Sequence, residues 1–165
     1  MKRLIVGIGI SGVLITGAAG QTPKYGVTVK AEKNVDFAKF KTYSWTTGQP
    51  SFDKMIDARV IAAVDRELGA LGLTKLASGP GDVLAAYYSL SRTDVNLKGK
   101  ADAKGSLPQY AVGTLMVALL DPGSRQRLLQ LRADQPLESD PAKLGATIDD
   151  VVTTLFAEYP TRRHK

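Results

Sequence analysis

The side chains that most often carry catalysis are scarce in this chain. There is no cysteine, and the one histidine, His164, lies among cations next to the last residue, where neither a metal nor a catalytic triad would be held rigidly. Without thiols these residues form no disulfide or zinc-thiolate site and carry no lipid on a cysteine. The remaining nucleophile would be a serine activated by lysine. The single Ser-x-x-Lys, Ser51-Phe52-Asp53-Lys54, stands where a helix begins, which is a place for a cap. Asp149 and Asp150 are adjacent on a helix, so their side chains point about 100° apart and do not face one another as acid and base. Gly7, Gly9 and Gly12 imitate a dinucleotide-binding turn but fall in a targeting segment. The expectation is no catalytic residue, no metal and no cofactor. The alternative is a small periplasmic hydrolase using carboxylates alone, with Asp36, Asp82 or Asp121 near strand ends as its acids.

Basic side chains gather between Arg92 and Gln109, where Arg92, Lys98, Lys100 and Lys104 accompany two aspartates, two glycines and few apolar residues. The segment is either a long mobile connection or two irregular strand extensions. As a mobile connection it is the most plausible contact surface of the domain, and those four cations are its candidate residues.

The elements that must position such a surface follow from the hydrophobic period. Val27 to Ala31 and Tyr43-Ser44-Trp45 alternate apolar and polar residues as half-buried strands do, and Asp36 to Phe40 between them forms a turn that drops aromatic rings onto the core. The tryptophan is structural in this reading. From Phe52 to Leu71 the period becomes helical, with Ile56, Val60, Val64 and Leu68 on one stripe. Asp57, Arg59, Asp65, Arg66 and Glu67 are expected mostly on the opposite, solvated face. Ser51 or Asp53 caps the start, and Gly72-Leu73 suits a left-handed cap at the end. Asp82 to Leu90 is a strand with Tyr87 and Tyr88 on opposite faces; Tyr110 to Leu120 is a central strand and Leu128 to Ala133 completes a hairpin with it. Asp140-Pro141 opens a second helix with Leu144, Ile148, Leu155 and Tyr159 on its buried stripe, and Pro160 ends it. The order β-β-α-β-β-β-α gives an α+β fold, a two-layer sandwich of a mostly antiparallel sheet with two helices on one face.

Targeting and charge bound the partners. Met1-Lys2-Arg3, the apolar Leu4–Ile15 and the small residues Ala18-Ala19-Gly20 form the three parts of a signal peptide, cleaved after Gly20 or after Ala19. A helix of about 12 residues spans only about 18 Å against a hydrocarbon core of about 30 Å, so an uncleaved anchor is the weaker reading. Residues 1–20 are thus a signal peptide, and 21–165 a single α+β domain with its core at about 27–160 and no transmembrane span after cleavage. Of the 165 residues 22 are basic and 16 acidic; without Lys2 and Arg3 the balance is 20 to 16, or +4, too even for a nucleic-acid footprint. Arg162, Arg163, His164 and Lys165 make a basic tail that is a frayed terminus or a weak attractor of anionic lipid or cell-wall polymer.

Several segments share one pattern. Val35-Asp36-Phe37-Ala38-Lys39-Phe40-Lys41-Thr42-Tyr43-Ser44-Trp45 resembles the "DFskYkTYaW" opening of a family of bacterial envelope and lipoprotein-like proteins, domain of unknown function 4136. Ile61 to Leu73 is similar to its helix ending in an "L-x-x-x-G-[LY]" turn, Asp82 to Tyr88 to its "pDllvayh" strand, Gly113 to Asp121 to its "GTLvidlvD" strand, and Tyr159-Pro160 to the close of its last helix. The resemblance covers about Val27 to Pro160. It departs where relatives carry a lipid-modified cysteine at the cleavage site, and where Leu129-Gln130-Leu131-Arg132 replaces a "vWrG" strand. The resemblance implies an α+β fold and a cell-envelope location, with no catalytic residues to carry over. Together with the signal peptide it gives an exported protein of the periplasm or cell envelope of a Gram-negative bacterium, a non-catalytic binding or accessory module. The expected partners are another envelope protein added at a sheet edge, an apolar small molecule between sheet and helices, cell-wall polymer, or anionic lipid.

Overall fold

Tyr110 to Leu120 forms the centre of a six-stranded sheet in the computed structural model, which describes residues 26–138 and 140–162. The signal peptide expected at residues 1–20 and the tail beyond Arg162 lie outside the described residues. In chain order the elements are β1 (Gly26–Ala31), a 3-10 turn (Phe37–Lys39), β2 (Thr42–Trp45), α1 (Lys54–Ala70), β3 (Thr74–Lys75), β4 (Val83–Val95), β5 (Gln109–Leu120), β6 (Arg127–Pro136) and α2 (Pro141–Ala157). The strands lie in the order β1-β6-β5-β4-β2-β3. β4, β5, β6 and β1 pair antiparallel, whereas β2 runs parallel to β4 and β3 parallel to β2. The parallel pair needs a crossover, and α1 supplies it.

One face of the sheet packs against both helices. Val83, Ala85 and Tyr87 of β4, Val117 and Leu119 of β5, and Leu129, Leu131 and Ala133 of β6 alternate onto that face. Val60, Ala63, Val64 and Leu68 of α1 and Val151, Val152, Leu155 and Phe156 of α2 close the core over them. The architecture is the α+β sandwich expected from the hydrophobic pattern.

The helix ends form where their sequences direct. Asp53 caps α1 by accepting from the Met55 and Ile56 N–H groups at 2.8 and 3.3 Å, and Asp140 caps α2 through Ala142 at 3.0 Å. At the far end of α1, Gly72 takes a φ of +87°. Leu73 N–H then returns to Leu68 C=O at 3.0 Å, and Gly72 N–H to Gly69 C=O at 2.9 Å. This Schellman closure buries Leu73 in the core and needs the left-handed freedom of glycine.

Arg59 of α1 pairs with Asp149 of α2, and Glu67 further along α1 meets Thr153 and Arg162, so the helices run side by side in the same direction. Beneath their C-terminal ends Tyr159 stacks on Phe156 at 6.3 Å and meets Phe37 edge-on at 5.8 Å. Its hydroxyl is buried without a hydrogen-bond partner among the described residues, and burial pushes the phenol up to about 12. Tyr159→Phe removes that unsatisfied group and keeps the ring. It is expected to raise stability by about 1 kcal/mol, roughly 3 to 5 °C in thermal unfolding. A lowered melting temperature would show that the hydroxyl has a partner.

Candidate functional site

The three central strands outrun the helices. β4 has 13 residues, on the order of 43 Å of strand, whereas each helix has 17 residues and spans about 25 Å. Near the helix starts the register aligns two rows on the helix-facing side of the sheet, Ser89–Leu115–Ala133 and Ser91–Gly113–Gln135. Four of those six side chains are Ser, Gly or Ala, too small to reach the helices. The next row, Tyr87–Val117–Leu131, is large and fills its space.

The result is a cavity of about 460 Å³. Ile56 and Val60 of α1 and Leu144, Ile148 and Val151 of α2 form its apolar walls, with residues 49–53, Leu137 and Glu138 at the rim. Phe52 and Leu137 on that rim are 101% and 47% exposed. Large apolar side chains left in water at a cavity mouth mark an interaction site more often than scattered ones do. Leu137 lies across β5 because residue 113 is glycine: a Cβ there would stand 2.5 Å from Leu137 Cδ2.

Polar contacts fix the rim. Gln49 N–H donates to Tyr87 C=O at 3.0 Å, and Ser89 N–H to Gln49 C=O at 2.8 Å, so the chain entering α1 travels along β4. The Tyr87 hydroxyl accepts from Ser51 N–H at 3.0 Å and donates to Asp57 Oδ1 at 2.5 Å. Burial and then the Asp57 carboxylate push that phenol up to about 12. Ser51 Oγ accepts the Asp53 N–H at 3.3 Å, and Asp53, rather than Ser51, is the N-cap.

The charged residues of α1 are not merely solvated, which corrects the sequence expectation. Asp57 accepts from Tyr87, Asp65 accepts from both Tyr43 and Trp45, and Glu67 is buried between Thr153 and Arg162. Aromatic residues of the sheet carry hydroxyl and indole donors up to the helix, and a carboxylate is the acceptor that satisfies them. Asp149 is likewise engaged, holding Arg59 and Arg66 across the helix pair.

Of the strand-end carboxylates, Asp36 and Asp121 each serve a local turn, whereas Asp82 ties the start of β2 to the chain entering β4. Asp36 accepts from Ala38 N–H at 3.1 Å; Asp82 Oδ2 accepts from Lys41 and Thr42 N–H at 2.8 and 2.9 Å; Asp121 Oδ1 accepts from Ser124 N–H at 2.7 Å. Those backbone donors hold Asp82 and Asp121 below the usual carboxylate range. No group of three or more metal-ligating side chains occurs among the described residues, and no described helix is long and apolar enough to cross a membrane.

The four candidate contact cations separate. Residues 92–95 belong to β4 and pair with 109–112 of β5, so the strand-extension reading holds there and the open connection shrinks to 96–108. Turns order that connection: Asn96 N–H reaches Pro108 C=O at 2.8 Å, and Asp102 Oδ1 accepts from Lys104 and Ser106 N–H at 2.8 and 2.9 Å. Arg92 sits on the strand, its guanidinium between Asp94 and Asp134 at 2.9 Å from each. Lys98, Lys100 and Lys104 stay exposed at the hairpin tip. The cavity, by contrast, collects residues that the sequence reading assigns to caps, strands and helix stripes and never to one site.

The sequence profile of a family described as Domain of unknown function (DUF4136) matches residues 27–161. The chain belongs to the DUF4136 family. Among solved structures this DUF4136 domain is similar to a PDZ domain protein from Parabacteroides distasonis, with 16% identity over 82% of this chain and 35% of that one, at a TM-score of 0.57. The likeness is one of fold, and the chain spans about a third of that protein's length. It is also similar to PelC from Paraburkholderia phytofirmans, crystallised as a dodecamer, with 11% identity over 80% and 97% of the two chains and a TM-score of 0.48. An uncharacterized lipoprotein B from Nitrosomonas europaea aligns at 11% identity over 76% and 85%, with a TM-score of 0.44. No curated protein matches.

Proposed function

We propose that this DUF4136 protein is an exported, non-catalytic binding module of the periplasm or cell envelope of a Gram-negative bacterium, and that its ligand sits in the cavity between helices and sheet. The cavity itself carries the reading: about 460 Å³ with apolar walls and an open rim falls within the roughly 300–1,000 Å³ typical of ligand pockets. The export half rests on the basic, apolar and small-residue parts of the first twenty residues. Protein recovered from a Gram-negative host is expected to begin at Gln21 or Gly20 on N-terminal sequencing; full-length chain in the membrane fraction would refute it.

For the cavity, the neutral fluorophore N-phenyl-1-naphthylamine should brighten on binding. Ser89→Phe projects a ring from the floor into the space the ligand needs, at a half-buried strand position that tolerates it. Affinity should fall by about tenfold or more while the melting temperature holds or rises. Unchanged affinity in that variant would place the binding elsewhere.

A further inference from the structure

The composition of the cavity lining also specifies the ligand's chemistry, on the reading that the cavity is a binding site. We propose that it takes a single-chain amphiphile whose head group is uncharged or cationic, and that it discriminates against anionic heads.

The chain length follows from size. An apolar cavity of about 150 Å³ accommodates one benzene ring, so about 460 Å³ suits an aliphatic chain on the order of a dozen carbons. The walls from Ile56, Val60, Leu144, Ile148 and Val151 offer such a chain nothing but hydrocarbon.

The head group follows from the polar lining. Ser89, Ser91, Gln135 and Thr147 line the cavity with uncharged donors and acceptors, and their side chains make no hydrogen bond among the described residues. They are free to meet hydroxyl or amide groups. Among the described residues the charged lining residues are Asp53 and Glu138, and no lysine or arginine joins them. Both carboxylates are fixed in place: Asp53 Oδ1 by the Met55 and Ile56 N–H groups, Glu138 Oε1 by Asp140 N–H at 2.9 Å. The nearby cations do not compensate. Lys143 pairs with Asp140 at 3.5 Å, and Lys54 beside Asp53 is exposed and outside the lining. The positive ends of the two helices face their own capping aspartates, Asp53 and Asp140. An anionic head would therefore sit near two carboxylates with no cation among the described lining residues to offset them, whereas a cation or a hydroxylated head finds acceptors.

The test displaces N-phenyl-1-naphthylamine from the full mature chain at pH 7 with three amphiphiles that share a dodecyl chain, each below its micelle concentration: dodecyl maltoside, dodecyltrimethylammonium and laurate. The maltoside and the ammonium compound should displace the fluorophore, with laurate weaker by about tenfold or more. Asp53→Asn with Glu138→Gln removes the charge while asparagine keeps the cap, and should bring laurate to within about threefold of the maltoside. A matching melting temperature confirms that the variant is folded. Laurate equal to or tighter than the maltoside overturns the head-group inference, as does an unchanged ratio in the double variant. These results leave the cavity reading standing if Ser89→Phe still weakens fluorophore binding by about tenfold or more; no uptake by the wild-type chain removes both.

Discussion

Val117→Asp is expected to abolish the cooperative unfolding transition. Val117 is 1% exposed in the C-terminal half of β5, paired with Tyr87 of β4 on one side and Leu131 of β6 on the other, in the core that both helices cover. Among the described residues no cationic partner belongs to that core cluster. An ionised carboxylate placed there costs several kcal/mol, of the same order as a whole domain stability of about 5 to 15 kcal/mol. Val117→Ala removes two methyl groups instead. It should cost about 2 kcal/mol and still melt as one transition, some 6 to 10 °C lower. Near-ultraviolet circular dichroism and denaturant titration read both variants. If the aspartate variant melts cooperatively near the wild-type temperature, Val117 is outside the core and the pairing of β5 with its neighbours is wrong.

The parts of the fold that were legible in the sequence are those whose signal is local. Asp53, Gly72 and Asp140 act at helix ends through bonds to residues within a few positions, so their types and spacing announce them. The alternation in β6 and the four-residue recurrence in both helices likewise name the buried faces. β3 escaped because two residues have no period. Its bonds, Thr74 N–H to Lys41 C=O and Leu76 N–H to Tyr43 C=O, come from a segment more than thirty residues away. The polar end of β4 stayed open between a mobile connection and a strand extension for a related reason. Arg92 and Asp94 look like loop residues until β5 and β6 place Thr114 and Asp134 beside them and complete an ion-pair ladder.

The cavity was hidden most deeply. Ser89, Ser91, Gly113 and Ala133 each signal nothing alone, and only the strand register collects them into one patch of small side chains facing the helix starts. The sequence does place an apolar ligand between sheet and helices among its possible partners, but offers no residue for it. The basic tip, conspicuous in composition, is split by the same register, which draws Arg92 away from the three lysines. Composition reports how many charges a segment holds; register decides which of them stand together.

The acids of α1 give the second large effect. Asp65→Ala is expected to lower stability by roughly 3 to 5 kcal/mol, because one carboxylate oxygen accepts two donors from the sheet, Tyr43 Oη at 2.7 Å and Trp45 Nε1 at 2.8 Å. Tyr43 is 2% exposed, and burial followed by the Asp65 carboxylate holds its phenol above the usual tyrosine range. With the acceptor gone, a buried hydroxyl and an indole N–H lose their partner while the rings stay packed, which is the costly way to break a hydrogen bond. The third contact, Lys75 Nζ at 2.8 Å from the other oxygen, matters less: the lysine is half exposed, so Lys75→Met should change stability by less than about 1 kcal/mol. Asp65→Asn keeps an acceptor oxygen and should fall between wild type and alanine. The decisive measurement is a double-mutant cycle with Tyr43→Phe, in which the hydroxyl disappears along with its acceptor. The pair should cost about 1 to 2 kcal/mol less than the sum of the single variants. Trp45 emission reports the same event, since loss of its acceptor changes the polarity around the indole. Additive penalties in the cycle, or an Asp65→Ala cost below about 1 kcal/mol, would mean that the Asp65 carboxylate does not help to hold the helix to the sheet.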